Sequence, residues 1–464
     1  MVFSSAVFLF CFLPVVFLAY RLLPGPRAKN GLLILGSLVF YAFGGLGCLP
    51  VLLGSVLVNY LAGLLAARRG RLGRAAVAAA AVLDLGLLGT FKYLNFITAN
   101  LALIPGLPVA VTQVALPIGI SFFIFQGLSY VIDVYREPAL LARSFWRVLL
   151  YITFFPQLVA GPIVKYGDVA GQLARRETCP ADTAAGLCRF ITGLSKKLLL
   201  ADTLGRMVDA VYALPAGQLD LRLGWLAALC YTLEIYFDFS GYSDMAIGLG
   251  RLFGFHFLEN FDHPYCAGSI REFWRRWHIS LSAWFRDYVY IPLGGNRRGL
   301  GRARLNRLLV FLLTGLWHGA NWTFVLWGAW HGLLMLAEDL LPRPRHRLGK
   351  ALGHVFTLLA VTLGFVLFRA NSLAGAAAML GAMFTGFTFT PAGNALLASL
   401  LSLGNLAALA LALPLCLPVG NWLAKRRLGA ALQALRLPAA LVLFALCLLS
   451  LAANGFNPFI YFQF

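Results

Sequence analysis

Charge is what this sequence has least of, and negative charge above all. Asp, Glu, Lys and Arg make up 12% of the 464 residues, about half the share in a soluble domain. A water-facing surface for a soluble fold of this length is therefore excluded. The shortage is one-sided: 18 acidic residues stand against 38 basic ones, for a net charge of +20. With no hydrophilic basic domain to do the binding, that excess does not point to nucleic acid. Lys and Arg in short loops instead anchor helix ends on the cytoplasmic side of a membrane. Paired cysteines are missing too. Cys11, Cys48, Cys179, Cys188, Cys230, Cys266, Cys416 and Cys447 are scattered without a CxxC pair, which excludes a disulfide framework. Most lie in apolar runs, where a free thiol behaves as a small hydrophobe. The first residues lack a basic n-region, and Ala19-Tyr20-Arg21 is no cleavage site. The opening apolar run is expected to be a retained helix rather than a signal peptide.

What the chain has in abundance is apolar sequence, at 60%. Runs that reach or approach the roughly 20 residues needed to cross a bilayer recur along it. They lie near 5–23, 31–46, 49–66, 75–91, 114–134, 145–164, 187–213, 222–250, 307–325, 326–341, 351–369, 395–416 and 437–454. The expectation is an all-α, polytopic membrane protein with about a dozen transmembrane helices, in one integral domain over 1–464. Pieces broken by Gly and Pro, 93–112 and 371–390, are expected to be re-entrant or interfacial. Alternate loops are basic: Arg21, Arg27 and Lys29; Arg68, Arg69, Arg71 and Arg74; Arg136, Arg143 and Arg147. By the positive-inside rule these loops, and the one holding Lys425, Arg426, Arg427 and Arg436, face the cytoplasm, with the N-terminus outside. The segment 251–306 is expected at the cytoplasmic surface.

Candidate chemistry concentrates between Ser269 and Gly332. Read as one helix, Arg271, Arg275, His278 and Ser282 fall on one face. Farther on, His318 stands in an apolar run between Trp317 and Gly319. An imidazole in such a place costs free energy unless it is partnered or used. Two readings of His318 are open on the residues alone: hydrogen-bonded core packing, or a role in chemistry. His331 is expected to be structural, hydrogen-bonding across the bundle. His346 and His354 read as surface or interfacial, and His256 and His263 as loop residues. His318 and His331 do not have the i, i+4 spacing of a helical zinc pair, and no Cys or Glu completes a metal set. Glu234, Asp238 and Asp244 lie in another apolar span, an expensive placement. They either pair with Arg275, Arg276, Lys196 or Lys197 or line a polar cavity.

The strings FWRRWHISLSAWFRDYVYIPLGGN and LWHGANWTFVLWGAWHG resemble the membrane-bound O-acyltransferase (MBOAT) family. MVFSSAVFLF, LPIGISFFIFQGLSYVIDVYR, VAGPIVKY and IYFDFSGYSDMAIGLG extend the likeness over most of residues 1 to about 370. Long motifs in the same order make a specific signal. MVFSS, GGN and GAWHG place the likeness nearest the branch that O-acetylates alginate.

The resemblance implies an O-acyltransferase of the bacterial inner membrane, with its catalytic motifs within 225–335. LWHGA matches the family's membrane histidine, making His318 the catalytic residue; RRWHIS makes His278 a catalytic or orienting one. It places Asp238, Ser240 and Tyr242 near the reaction chamber, with Arg275, Trp317 and Asn321 as further substrate-binding candidates. Acyl transfer from a thioester to a hydroxyl needs a base for the hydroxyl proton, a task neutral imidazole suits. It also needs donors for the oxyanion, for which Asn321, Trp317, Trp322 and the backbone near Gly319 are candidates. No tightly bound cofactor or metal is expected. Acetyl-CoA is the expected donor, and the basic run Arg297, Arg298, Arg302, Arg304 and Arg307 either meets its phosphates or anchors the membrane surface. The expected partners are the bilayer, an extracytoplasmic acetyltransferase of the serine esterase type, and a polysaccharide synthesis and export complex. D-alanylation of teichoic acid and a flippase without bond-making chemistry are the competing readings.

Overall fold

The computed structural model describes residues 1–159, 161–341, 346–420, 429–454 and 457–460. Among them there is no β-strand; every regular element is helical. The basic loop residues Lys425, Arg426 and Arg427 lie outside the described residues.

Among the described residues, four helices are long and apolar enough to cross a membrane: Leu46–Ala66, Gly70–Leu101, Arg347–Arg369 and Ala434–Ala453. The pair Pro391–Leu400 and Leu403–Leu415, bent by 65°, makes up to five. The chain is thus a helical, polytopic membrane protein, but this number replaces the dozen expected. Part of the excess came from apolar runs that the backbone breaks. The run at 145–164 is a nine-residue helix, Phe145–Thr153, followed by the short turn Phe155–Leu158. The run at 307–325 crosses a helix end at His318. Hydropathy averages over such breaks.

The chain forms two compact units, Met1–Phe190 with Ser243–Glu259, and Ile191–Tyr242 with Asn260–Phe464. In the first, α1 (Leu49–Ala66), α2 (Gly70–Leu88) and α3 (Ile120–Arg136) pack side by side. Asp84 joins α2 to α1: its carboxylate accepts from Asn59 at 2.9 Å and Ser55 at 3.2 Å. Gly127 on α3 sits against the Asn59 amide, where a Cβ has no room. Phe8, Phe12, Phe40 and Phe155 build the aromatic core beside them.

The second unit carries the candidate chemistry. Its helices are α4 (Leu221–Leu252, as far as Tyr242), α5 (Ile270–Arg276), α6 (Ile279–Phe285), α7 (Gly299–His318), α8 (Trp322–Leu340) and α9 (Arg347–Arg369). The α7–α8 hairpin is the tightest contact. Gly315 and Gly328 face each other across it, so that a Cβ on Gly315 would collide with the Phe324 carbonyl. Bonds from the Trp330 indole to the Ala360 carbonyl at 2.9 Å and from Thr232 to Thr362 at 3.3 Å tie α8 and α4 to α9. Tyr231, Phe237, Phe273, Trp277 and Phe365 fill the core between them.

Candidate active site

The stretch from Ser269 to Tyr290 is not one helix, which corrects the single-face reading. His278 has φ +44°, in the left-handed region, and separates α5 from α6. Holding a non-glycine residue there costs roughly 1–3 kcal/mol, so the surroundings must enforce it. Asn260 does so. Its backbone carbonyl accepts from Ile279 N at 3.0 Å, and its side-chain oxygen from Ser280 N at 3.1 Å and Ser280 Oγ at 2.8 Å. These are the donors a helix start leaves open. The same oxygen lies 3.3 Å from His278 Nδ1. A backbone N–H only donates, so the side-chain atom of Asn260 facing Ser280 N and His278 Nδ1 is the amide oxygen. The kink also explains why Arg271, Arg275 and Ser282 line one cavity while His278 turns to Phe239, at 4.6 Å, and Trp317, at 6.1 Å.

His318 is the last residue of α7. The helix stops because Gly319 is extended, and a side chain there would strike the Phe324 ring. His318 is buried against Trp317 at 5.0 Å, Trp327 at 5.1 Å and Phe368 at 5.1 Å. Trp317 therefore stands between the two histidines, with one ring contact to each. At a helix C-terminus the peptide dipoles present partial negative charge, which favours an imidazolium once it forms.

Beside this aromatic cluster lies a cavity of about 690 Å³. Five arginines line it, Arg271, Arg275, Arg286, Arg304 and Arg307, with Asp339 as the lone acidic residue. Asp339 at the end of α8 is paired with both Arg271 and Arg307. Its neighbour Glu338 accepts Ile270 N at 2.8 Å and Arg271 N at 3.1 Å, closing the first turn of α5. Ser269 caps the same turn by accepting from Glu272 N at 3.1 Å. The Glu272 carboxyl is held below the ordinary carboxylate range, first by the Gly268 N–H and then by Arg276. A π-helical turn, Arg286–Tyr290, turns Arg286 and Tyr290 into the cavity. The Arg304 Nε is buried with no hydrogen-bond partner among the described residues. Of the basic run, Arg304 and Arg307 reach the cavity; Arg297, Arg298 and Arg302 are exposed.

The other candidates lie elsewhere in the unit. Asp238 is buried in an ion pair with Lys197 at 2.6 Å and also accepts Ile460 N at 3.0 Å. Lys197 pairs with Asp202 as well, at 2.9 Å. Of the partners foreseen for Asp238, Lys197 is the one present. Arg276 bonds Glu272 and Asp262, and Arg275 lines the cavity. Ser240 accepts from Lys196 at 3.3 Å, and the Tyr242 ring meets Phe459 at 5.0 Å. Asn321 caps α8 through Thr323 N at 3.1 Å and donates to the Asn371 carbonyl at 2.9 Å. His331 makes no hydrogen bond among the described residues, which corrects the expected cross-bundle bond; it packs between Trp274 and Trp327. Asn260, Glu338 and Asp339 were not foreseen. The one signal for the last two was a pair of carboxylates ending an apolar helix.

A family model described as MBOAT, membrane-bound O-acyltransferase family, matches residues 142–347. The chain is 42% identical over 512 residues to "Probable alginate O-acetylase AlgI" of Azotobacter vinelandii, covering 100% of both chains. It is 36% identical over 421 residues to a peptidoglycan O-acetyltransferase of Helicobacter pylori, covering 82% of this chain and 80% of the relative. A teichoic acid D-alanyltransferase of Bacillus subtilis is 29% identical over 271 residues, covering 54% of this chain and 68% of the relative.

Proposed function

This chain belongs to the membrane-bound O-acyltransferase family and is a membrane O-acyltransferase; on that premise we propose that it moves acetyl from cytoplasmic acetyl-CoA across the membrane for O-acetylation of an exported polysaccharide such as alginate. The names of the full-length and peptidoglycan-acting relatives support acetyl as the group and a polymer as its destination. The observation that carries the reading is His318, buried in an aromatic pocket at a helix end beside an arginine-lined cavity.

The arginines hold the phosphates of the donor, with Asp339 keeping Arg271 and Arg307 in place when no phosphate is bound. His318 takes the proton of the attacking hydroxyl as its oxygen bonds to the thioester carbonyl carbon. The oxyanion is met by a neighbouring donor; the Trp317 indole and the backbone about Gly319 are the nearest groups in sequence. Collapse of the tetrahedral intermediate breaks the carbon–sulfur bond, and the imidazolium returns its proton to the departing thiolate. His278, its Nδ1 fixed by Asn260, orients the reacting groups through Trp317. The hydroxyl belongs to the polymer or to a serine of an extracytoplasmic esterase-type partner that passes the acetyl on.

The test uses the full chain in sealed vesicles with radiolabelled acetyl-CoA on the cytoplasmic face. Label should appear on polymer or partner protein outside. Donor hydrolysis with no acetylated product outside would defeat the reading. Transfer of D-alanyl in place of acetyl would assign the enzyme to teichoic acid modification.

A further inference from the structure

A wall of rings runs from the cavity to His318. Trp274 lines the cavity and is 8% exposed. Its ring lies edge-on to Phe311 at 5.2 Å, Trp327 at 5.6 Å and His331 at 5.1 Å. Trp327 in turn packs on His318 at 5.1 Å. Thr314, also on the cavity wall, precedes His318 on α7 by four residues, a rise of about 6 Å. The cavity therefore ends about one helical turn short of the histidine, with Trp274 and Trp327 along one side of the interval.

We propose that Trp274 sets the length of the acyl group transferred, admitting acetyl and rejecting longer chains. This rests on reading the cavity as the donor site. With the donor's phosphates on the arginines, the acyl group points toward Thr314 and His318, and its carbon tail grows against the Trp274 ring. That ring has no room to retreat. Trp327 is 1% exposed and His331 is 0% exposed behind it. His331 makes no hydrogen bond among the described residues, so it serves here as an apolar backing ring. Gly364 faces its Nε2, where a Cβ would stand 2.7 Å away, so α9 closes the same wall from behind. Interiors packed this way do not yield a methylene's volume freely. One methylene is worth roughly 10- to 200-fold in discrimination at such a wall.

The experiment compares acetyl-, butyryl- and hexanoyl-CoA as donors for the full-length protein in vesicles. The quantity read is the ratio of kcat/KM for butyryl to that for acetyl. In the wild type acetyl should win. Trp274→Ala should raise the butyryl-to-acetyl ratio by about tenfold or more, and Trp274→Phe by less. Trp146→Ala, at an exposed tryptophan of the other unit, should leave the ratio unchanged. Trp274→Phe keeps an aromatic ring in the core and carries the test if the alanine variant does not fold. An unchanged ratio in folded Trp274 variants that still transfer acetyl would overturn the length-setting role alone. No acetyl transfer from CoA by the wild type would overturn the donor reading and this inference together.

Discussion

One side-chain oxygen, that of Asn260, is bonded to Ser280 N and Ser280 Oγ and lies against His278 Nδ1. Removing it in Asn260→Ala should cost about 1–2 kcal/mol through the lost helix cap and lower turnover in the folded fraction, because the His278 ring loses the contact at Nδ1 that positions it. Thermal unfolding and acetyl transfer per folded molecule check the two halves separately. His278 itself stands at φ +44°. Asn tolerates that region and β-branched residues do not. His278→Asn should therefore fold and keep part of the activity, whereas His278→Val should lower the melting temperature. Equal stability of the two would show that the left-handed turn is not a constraint. Both histidines stand out in the sequence because an imidazole among tryptophans is conspicuous. Asn260 does not, since its partner is 18 residues away and its loop has no pattern. The buried carboxylate Asp238 was conspicuous too, but its choice of Lys197 over the equally basic Arg275 and Arg276 depends on packing.

At the scale of elements, the one-helix reading of Ser269 to Tyr290 failed at a single residue. Periodicity placed Arg271, Arg275 and Ser282 together, and they do line one cavity; a left-handed residue between them turned His278 elsewhere. No period in the sequence announces such a turn. The start of α5 depends on Glu338 from α8. In Glu338→Ala two helix-start N–H groups lose their acceptor, and the arginine cavity should loosen with them. The expected outcome is a raised KM for acetyl-CoA with a smaller change in kcat, measured on folded protein; an unchanged KM would remove α5 from the donor site. The α7–α8 crossing needs glycine on both helices. Gly315→Ala drives a Cβ into the Phe324 carbonyl and should destabilise by roughly 1–3 kcal/mol. A denaturation midpoint equal to wild type would show that the crossing relaxes freely.

For the molecule as a whole, composition was enough to read a helical membrane protein, and hydropathy was not enough to count its spans. Breaks such as that at Thr153–Phe155 divide runs that look continuous. The orientation read from loop charge is open to direct measurement. In a cysteine-free background, Arg71→Cys should resist impermeant thiol reagents applied to intact cells, and labelling from outside would invert the assignment. The central claim concerns His318, and the most direct measurement is acetyl transfer per folded, membrane-inserted molecule of His318→Gln. Glutamine approximates the size and hydrogen bonding of the imidazole but cannot accept and return a proton at neutral pH. If His318 is the base, turnover should fall roughly 100- to 10,000-fold at unchanged protein level. Turnover near that of the wild type would contradict the account and leave His318 as a packing residue.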